Sequence, residues 1–309
     1  MSNQPRVLIV GHLGQVGVEL QRSFSGLGEI VCHDRDTVDI AAENQLRAMV
    51  RAAAPDVILN AAAYTAVDRA ESEAAVAMAV NAMAPGILAE EALRMGALLV
   101  HYSTDYVFNG AKQSPWIESD PTDPLNVYGA SKLAGEQAIQ NIGGRYLIFR
   151  TSWVYGPHGN NFLLTMLRLG RERASLNIVD DQIGAPTTSI SLANATRFIV
   201  DGALAGSFGS ADQWAGLYHM TSSGAVSWRG FAEAIFIRAD ELLHGKTPAV
   251  HPITSAEYPT PAKRPRNSVL SNRKLADHFG LQLPPWESAL DEVMARLVKA
   301  DDAPAQATK

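Results

Sequence analysis

The sequence predicts an α/β protein: a doubly wound parallel sheet with a smaller, mainly C-terminal subdomain. Three observations carry that expectation. Short apolar runs alternate with longer helix-like segments through the first 150 residues, a glycine-rich turn sits at the first strand–helix junction, and prolines and loops break the alternation after residue 153. Strands buried on both faces beneath crossover helices read in this way.

The predicted strands are "RVLIVG" (6–11), "EIVCHD" (29–34), "DVILNAAA" (56–63), "ALLVHYST" (97–104) and "RYLIFRTS" (145–152), each short and rich in branched or aromatic residues. Between them, "QVGVELQRSF", "ENQLRAMVRAA", "ESEAAVAMAVNAMAPGILAEEALRMG" and "NVYGASKLAGEQAIQNI" have helical composition and spacing. The last helix is expected to begin with Asp123 as N-cap and Pro124 at its first position. Beyond residue 153, "SLNIVDDQIGAPTTSISLANATRFIVDGAL" and "GLYHMTSS" are read as further strands and a helix of the sheet. Residues 1–153, with 187–223 returning to them, form the expected dinucleotide-binding domain, and 154–186 with 224–309 the substrate-binding subdomain. There is no internal repeat, and the polar tail "ADDAPAQATK" reads as frayed.

Composition narrows the function classes. The 309 residues can bury a sizeable core, and 47% hydrophobic with 19% charged content is ordinary for a soluble globular protein. A net charge of −6 gives nucleic acid no global reason to bind, although a local site can still take a small phosphorylated ligand. The single cysteine, Cys32, excludes an intrachain disulfide and reads as a buried strand residue in a cytoplasmic protein. "MSNQPR" and "VLIV" are too short for a signal peptide, and no stretch reaches the ~18 uninterrupted apolar residues of a membrane helix, so no membrane partner is expected.

Two motifs carry chemistry. "VGHLGQVG" sets Gly11, Gly14 and Gly17 between a strand and a helix, where a backbone must approach a pyrophosphate and a helix N-terminus offers N–H groups to it. Asp34 ends the second strand, 23 residues after Gly11, where a carboxylate can bind a ribose hydroxyl; Arg35 beside it would welcome a 2′-phosphate, so both NADH and NADPH stay open. The second motif is Tyr128 and Lys132, four apart on one helical face with Gly129 between them. A buried tyrosine beside an ammonium has its phenolate favoured and its pKa lowered toward proton transfer. Alone, Y-x-x-x-K is common in surface helices. Here it follows a strand ending in Ser103 and Thr104, and strand C-termini are where open parallel sheets bind ligands.

Glycine loop, acidic residue, strand-end hydroxyl and Y-x-x-x-K in this order resemble the extended short-chain dehydrogenase/reductases. The resemblance implies a Rossmann-type fold, Tyr128 as general acid, Lys132 as holder of the nicotinamide ribose that depresses the tyrosine pKa, and Thr104 as positioner of the substrate oxygen. "NAAAYTAVD" resembles the superfamily's N-A-A segment after its fourth strand, which puts Ala62, Ala63 and Tyr64 beside the cofactor. The expected cofactor set is completed by Gln15, Val16, Asp39 and Ile40. Nucleotide-sugar dehydratases of this branch carry Asp-Glu after the strand-end threonine; here Asp105 is followed by Tyr106, which argues against dehydration.

Longer stretches, among them "GHLGQVGVELQRS", "PDVILNAAAYTAVDRAESE", "HYSTDYVFNG", "PLNVYGASKLAGE", "DDQIGAPT" and "YPTPAKRPRNSVL", closely resemble the dTDP-4-dehydrorhamnose reductase family over nearly the whole chain. That resemblance implies reduction of the 4-keto group of dTDP-4-dehydro-β-L-rhamnose to dTDP-L-rhamnose by NADPH or NADH. It places Thr104, Asp105, Tyr128 and Trp153 at the sugar nucleotide, with Arg264 and Asn267 as further contacts, and it allows a homodimer. Mg²⁺ enters through the resemblance alone: Glu19 stands in a matching "VELQ" segment, "GAPTTSI" supplies no second acid, and no metal ligands are assigned. The alternatives are a reductase of another 4-keto-6-deoxy sugar nucleotide and a non-catalytic nucleotide-binding regulatory subunit.

Overall fold

A computed structural model describes residues 4–302. Its central sheet has six parallel strands, β1 (Arg6–Val10), β2 (Glu29–His33), β3 (Val57–Asn60), β4 (Leu98–Thr104), β5 (Tyr146–Thr151) and β10 (Gly216–His219), in the order β10-β5-β4-β3-β1-β2. All five strands expected in the first 153 residues form, each slightly shorter than its apolar run. Alternation explains the runs. Val7 and Ile9 face a layer made by α1 (Gln15–Phe24) and α8 (Ser189–Leu204), while Leu8 and Val10 face α2 (Glu43–Ala53), α5 (Ala84–Met95) and α6 (Val127–Ile142). β2 is an edge strand, so Cys32 is half-buried rather than buried, and burial pushes its thiol pKa up, away from reactivity.

The helical segment after β3 holds α3 (Val67–Ala70) and then one continuous rod, Ala74–Met95, in which α4 (Ala74–Met78) passes through a π-turn at Ala79–Met83 into α5. By length and composition that rod could cross a membrane, yet 61% of its most apolar window is buried, with α2 and α6 packed on it.

A second core surrounds α7 (Phe162–Glu172), α10 (Trp228–Arg238) and α12 (Trp286–Asp302), with Tyr155, Leu167, Phe231 and Leu290 among its buried members. Three two-stranded pairings frame it: β6 (Val154–Tyr155) with β9 (Thr187–Thr188), β8 (Ile183–Gly184) with β11 (Val226–Ser227), and β7 (Ser175–Val179) with β12 (Ala249–Ile253). Two expectations need correction. "SLNIV" does not join the main sheet, because its strand pairs with β12. Nor does all of 224–309 belong to the second core: Leu275 and Phe279 of α11 (Arg273–Phe279) and Leu283 pack into the first, where the Phe279 ring meets Tyr218 and Phe208 at 4.9 Å. The short α9 (Ala211–Trp214) buries Trp214 in that same core.

Candidate active site

The sheet reverses its winding between β1 and β3, and ligands of open α/β sheets bind at the C-terminal side of such a switch point. Gly11 leaves β1 at φ +82°, and a Cβ there would lie 2.6 Å from the Ala62 nitrogen, so only glycine lets the two strand ends approach. A Cβ on Gly17 would meet the Gly11 carbonyl at 2.1 Å; one on Gly14 would meet it at 3.3 Å. Gly14 caps α1 without any side-chain hydrogen bond, so the helix's first N–H groups, at Gln15, Val16 and Gly17, face an open cradle. That cradle fits a dinucleotide pyrophosphate. Val16 packs on the first core, and Gln15 reaches the 156–161 loop, accepting from Asn161 Nδ2 at 3.0 Å.

Asp34 is buried at the end of β2, its Oδ1 taking the Asp36 N–H at 3.0 Å. Ile40 packs on the α2 layer, while Asp39 is exposed and holds the Ala41 N–H at 3.0 Å. The N-A-A segment follows the third strand of this chain, not a fourth. It is fixed by two asparagines absent from the expected site. Asn60 Oδ1 accepts from Ala62 N at 3.3 Å, and Asn81, in the π-turn, binds both backbone groups of Tyr64 and the Ser131 hydroxyl. Ala63 lies in this clamped stretch, and the Tyr64 hydroxyl turns away to Glu73 at 2.5 Å.

The N-terminus of α6 presents Tyr128 beside the end of β4. Its start corrects the expectation at Asp123: the cap is Asn126, whose side chain takes the Gly129 N–H at 2.8 Å, while Asp123 accepts from Asn109 Nδ2 at 3.0 Å. The glycine between Tyr128 and Lys132 has a packing reason, since a Cβ at Gly129 would lie 2.2 Å from the Tyr106 carbonyl oxygen. Gly135 similarly lets α6 close on the π-turn, 2.1 Å separating its Cβ position from the Asn81 oxygen.

Tyr128 and Thr104 do meet, the threonine hydroxyl lying close enough to the phenol to favour its charged form. Thr104 Oγ1 also accepts from Tyr106 N at 3.2 Å and donates to Asp105 Oδ1 at 3.1 Å. The Tyr106 ring stands edge-on to Tyr128 at 5.7 Å. Burial pushes the Tyr128 phenol up to about 12, with Thr104 pulling it back and Asp105 adding to the rise. The expected depression by Lys132 is therefore absent. The physical reason is where the lysine points: Nζ donates to the Tyr102 carbonyl at 2.6 Å and lies 3.1 Å from Nε2 of the buried His101, whose Nδ1 meets Asn60 Nδ2 at 2.9 Å. Burial lowers Lys132 to about 8, Glu136 opposing. Tyr128 is thus a fully protonated phenol at neutral pH, the form an acid needs.

Beneath these groups, Arg150 on β5 binds Glu136 of α6 through two hydrogen bonds of 2.9 and 2.6 Å, both side chains buried, and Ser103 donates to the same carboxylate. Sequence reading passed over Asn60, His101, Glu136 and Arg150. A strand buried on both faces has no polar alternation to mark Asn60, His101 and Arg150, and Glu136 reads as an ordinary helix-face charge.

A groove of about 1890 Å³ opens on the side of the second core, lined among others by Asp68, Lys112, Gln182, Trp228, Lys263, Arg264, Arg266 and Asn267. Tyr128 and Thr104 do not line it; it reaches them by way of Arg264, which neighbours Tyr106. Arg264 is held by both oxygens of Asp68, at 3.0 and 2.9 Å. Asn267 spends its amide on the Lys112 and Ser114 carbonyls and on Val269 N, which makes it an anchor of the groove wall. Trp153 has φ +47° and stacks on Trp228 at 3.5 Å, so one ring face is covered. Glu19 is buried among Arg22 at 2.7 Å, His158 at 3.1 Å and Arg296 at 3.7 Å. Such cationic surroundings do not fit a divalent metal.

Comparisons with known proteins agree with this geometry. The family model described as "RmlD substrate binding domain" matches residues 5–299. The dTDP-4-dehydrorhamnose reductase of Burkholderia thailandensis is 50% identical over 293 residues, covering 92% of this chain and 96% of that protein. The enzyme of the same name from Escherichia coli K12 is 44% identical over 94% of this chain and 97% of its own length. Among solved structures, the Bacillus anthracis dTDP-4-dehydrorhamnose reductase in complex with NADP superposes with a TM-score of 0.86 at 36% identity, covering 95% of this chain and 99% of that one.

Proposed function

Because the chain belongs to the RmlD substrate-binding-domain family, that of the dTDP-4-dehydrorhamnose reductases, we propose that it reduces the 4-keto group of dTDP-4-dehydrorhamnose to give dTDP-L-rhamnose. The observation that carries this reading is the placement of Tyr128, in the first turn of α6, beside Thr104 at the end of β4.

NADPH, seated on the glycine cradle, supplies the hydride for C4. Gly11, Gly17 and the α1 N-terminus hold the pyrophosphate, the clamped Ala62–Tyr64 backbone lines the nicotinamide side, and Asp34 meets the adenosine ribose. Tyr128 gives its proton to the C4 oxygen as negative charge develops there, and Thr104 donates a hydrogen bond to the same oxygen. To steady the tyrosinate left behind, Lys132, one turn along α6, has to swing off the Tyr102 carbonyl and His101 that hold it here. The groove takes the nucleotide diphosphate: Lys112, Arg173, Lys263, Arg264 and Arg266 outnumber Asp68, Asp181 and Glu257 there, within a chain of net charge −6. In this division of labour residues 1–153 and 187–223 serve the cofactor, and 154–186 with most of 224–309 serve the sugar. A homodimer in the cytoplasm completes the reading; a monomer in sedimentation velocity would remove the dimer.

The test follows NADPH oxidation with the keto sugar nucleotide, beside other 4-keto-6-deoxy sugar nucleotides. Wild type turns over the rhamnose precursor fastest, and Tyr128→Phe loses at least about a hundredfold in kcat, the scale of a positioned proton donor. A Phe variant that keeps most of its rate means that another group gives the proton.

A further inference from the structure

We infer that Asp105 serves the reaction as its neutral acid, a positioning residue that decides where the Thr104 hydroxyl points. The inference rests on the reduction proposed above and deepens it. A hydroxyl has one proton and two lone pairs. Thr104 donates that proton to Asp105 Oδ1 at 3.1 Å and accepts from Tyr106 N at 3.2 Å. Nothing is left to donate to a carbonyl oxygen at C4.

A proton on Asp105 reverses the arrangement. The carboxylic acid donates to Thr104 Oγ1, which then holds two incoming hydrogen bonds, from Asp105 and from Tyr106. Its own proton is released toward the substrate. The balance is simple: the proton on Asp105 stays there through turnover, and the proton added to the alcohol comes from Tyr128.

The surroundings suit a carboxyl that is neutral part of the time. Asp105 is 3% exposed, and its Oδ2 is buried without a hydrogen-bond partner. The groups that face it are Thr104 and Tyr106 from its own segment, Tyr128 from α6, Ser152 from the end of β5 and Ser268 from the C-terminal loop. The next charged neighbour, Arg264, sits beyond Tyr106 and is bound to Asp68. Desolvation raises the Asp105 pKa to about 6, the surrounding hydroxyls opposing.

The experiment is kcat/KM for the keto sugar nucleotide against pH at saturating NADPH, in wild type, Asp105→Asn and Thr104→Val. This ratio reports groups of the NADPH-bound protein before the sugar nucleotide binds. The working form of Asp105 is complete at low pH and lost as pH rises through about 6, so wild type falls by about tenfold per pH unit above it. Asp105→Asn, whose amide donates to Oγ1 at every pH, lacks that limb and keeps only the later one near 8 set by Lys132. Thr104→Val loses rate and the lower limb together. A wild type that turns over without the limb overturns the inference. The same follows from an Asn variant that keeps the limb, or one that binds NADPH and melts like wild type yet never turns over. Absence of turnover by wild type at every pH would instead remove the reduction itself.

Discussion

At the scale of single residues, the site shows how far a pattern reaches. Tyr128, Lys132 and Thr104 were legible because the chemistry needs those types at that spacing and in that order along the sheet. Their protonation was not. Whether Lys132 acts on Tyr128 or turns to the Tyr102 carbonyl depends on burial and on His101, and neither is written in a Y-x-x-x-K spacing. Glu136 and Arg150 were equally hidden, being charged residues in segments that read as helix face and apolar strand. Their pairing is buried on both sides and bidentate, so it makes a clear prediction. Glu136→Ala leaves the Arg150 guanidinium buried and unpaired, which costs about 3–5 kcal/mol. Urea unfolding read by circular dichroism should show that loss; one below about 1 kcal/mol would mean that water reaches the arginine.

Among the elements, α6 is the most informative. Its existence and the face that carries Tyr128 and Lys132 were readable, but its start was misplaced by three residues. Asp123-Pro124 is a sound start signal on its own. The structure instead commits the Asp123 carboxylate to Asn109 and its backbone N–H to Val107 O, and hands the cap to Asn126. Only tertiary contacts decide between two such candidates. Asn126 also donates from Nδ2 to the Lys263 carbonyl at 2.8 Å, so one side chain fixes the helix start and ties it to the C-terminal loop. Asn126→Ala should cost about 1 kcal/mol for the cap. It should also slow turnover by more than that loss of stability explains, because Tyr128 sits two residues into the helix. An Asp variant, which restores the cap but not the Lys263 contact, separates the two effects: thermal stability recovers and kcat recovers in part. Equal recovery of both would mean that the loop tie is idle.

For the whole molecule, parallel-sheet alternation fixed the cofactor half in advance, since each strand end is a short-range feature. The second core was harder to read. Its strands are two to five residues long and pair across 33 to 74 residues, β7 with β12 the farthest, and α11 crosses back to pack on the first core. Besides the Asn126–Lys263 tie, contacts that join the halves near the site include Gln15 with Asn161, the Trp153–Trp228 stack, and Asp68 on α3 gripping Arg264. The last is the telling one, because Arg264 both lines the groove and neighbours Tyr106, which in turn meets Tyr128. As a partly exposed ion pair it adds at most about 1 kcal/mol to stability. Its larger effect is on position. Asp68→Ala leaves the guanidinium on Thr260 Oγ1 and the Ala262 carbonyl of its own loop and frees the Ala262 N–H that the carboxylate also holds, so the groove wall loses its tie to α3. The expected outcome is a several-fold rise in KM for the sugar nucleotide, with NADPH affinity and melting temperature nearly unchanged. If KM stays put while NADPH binding weakens, the pair serves the cofactor half alone, and the groove is aligned with the acid by the tryptophan stack instead.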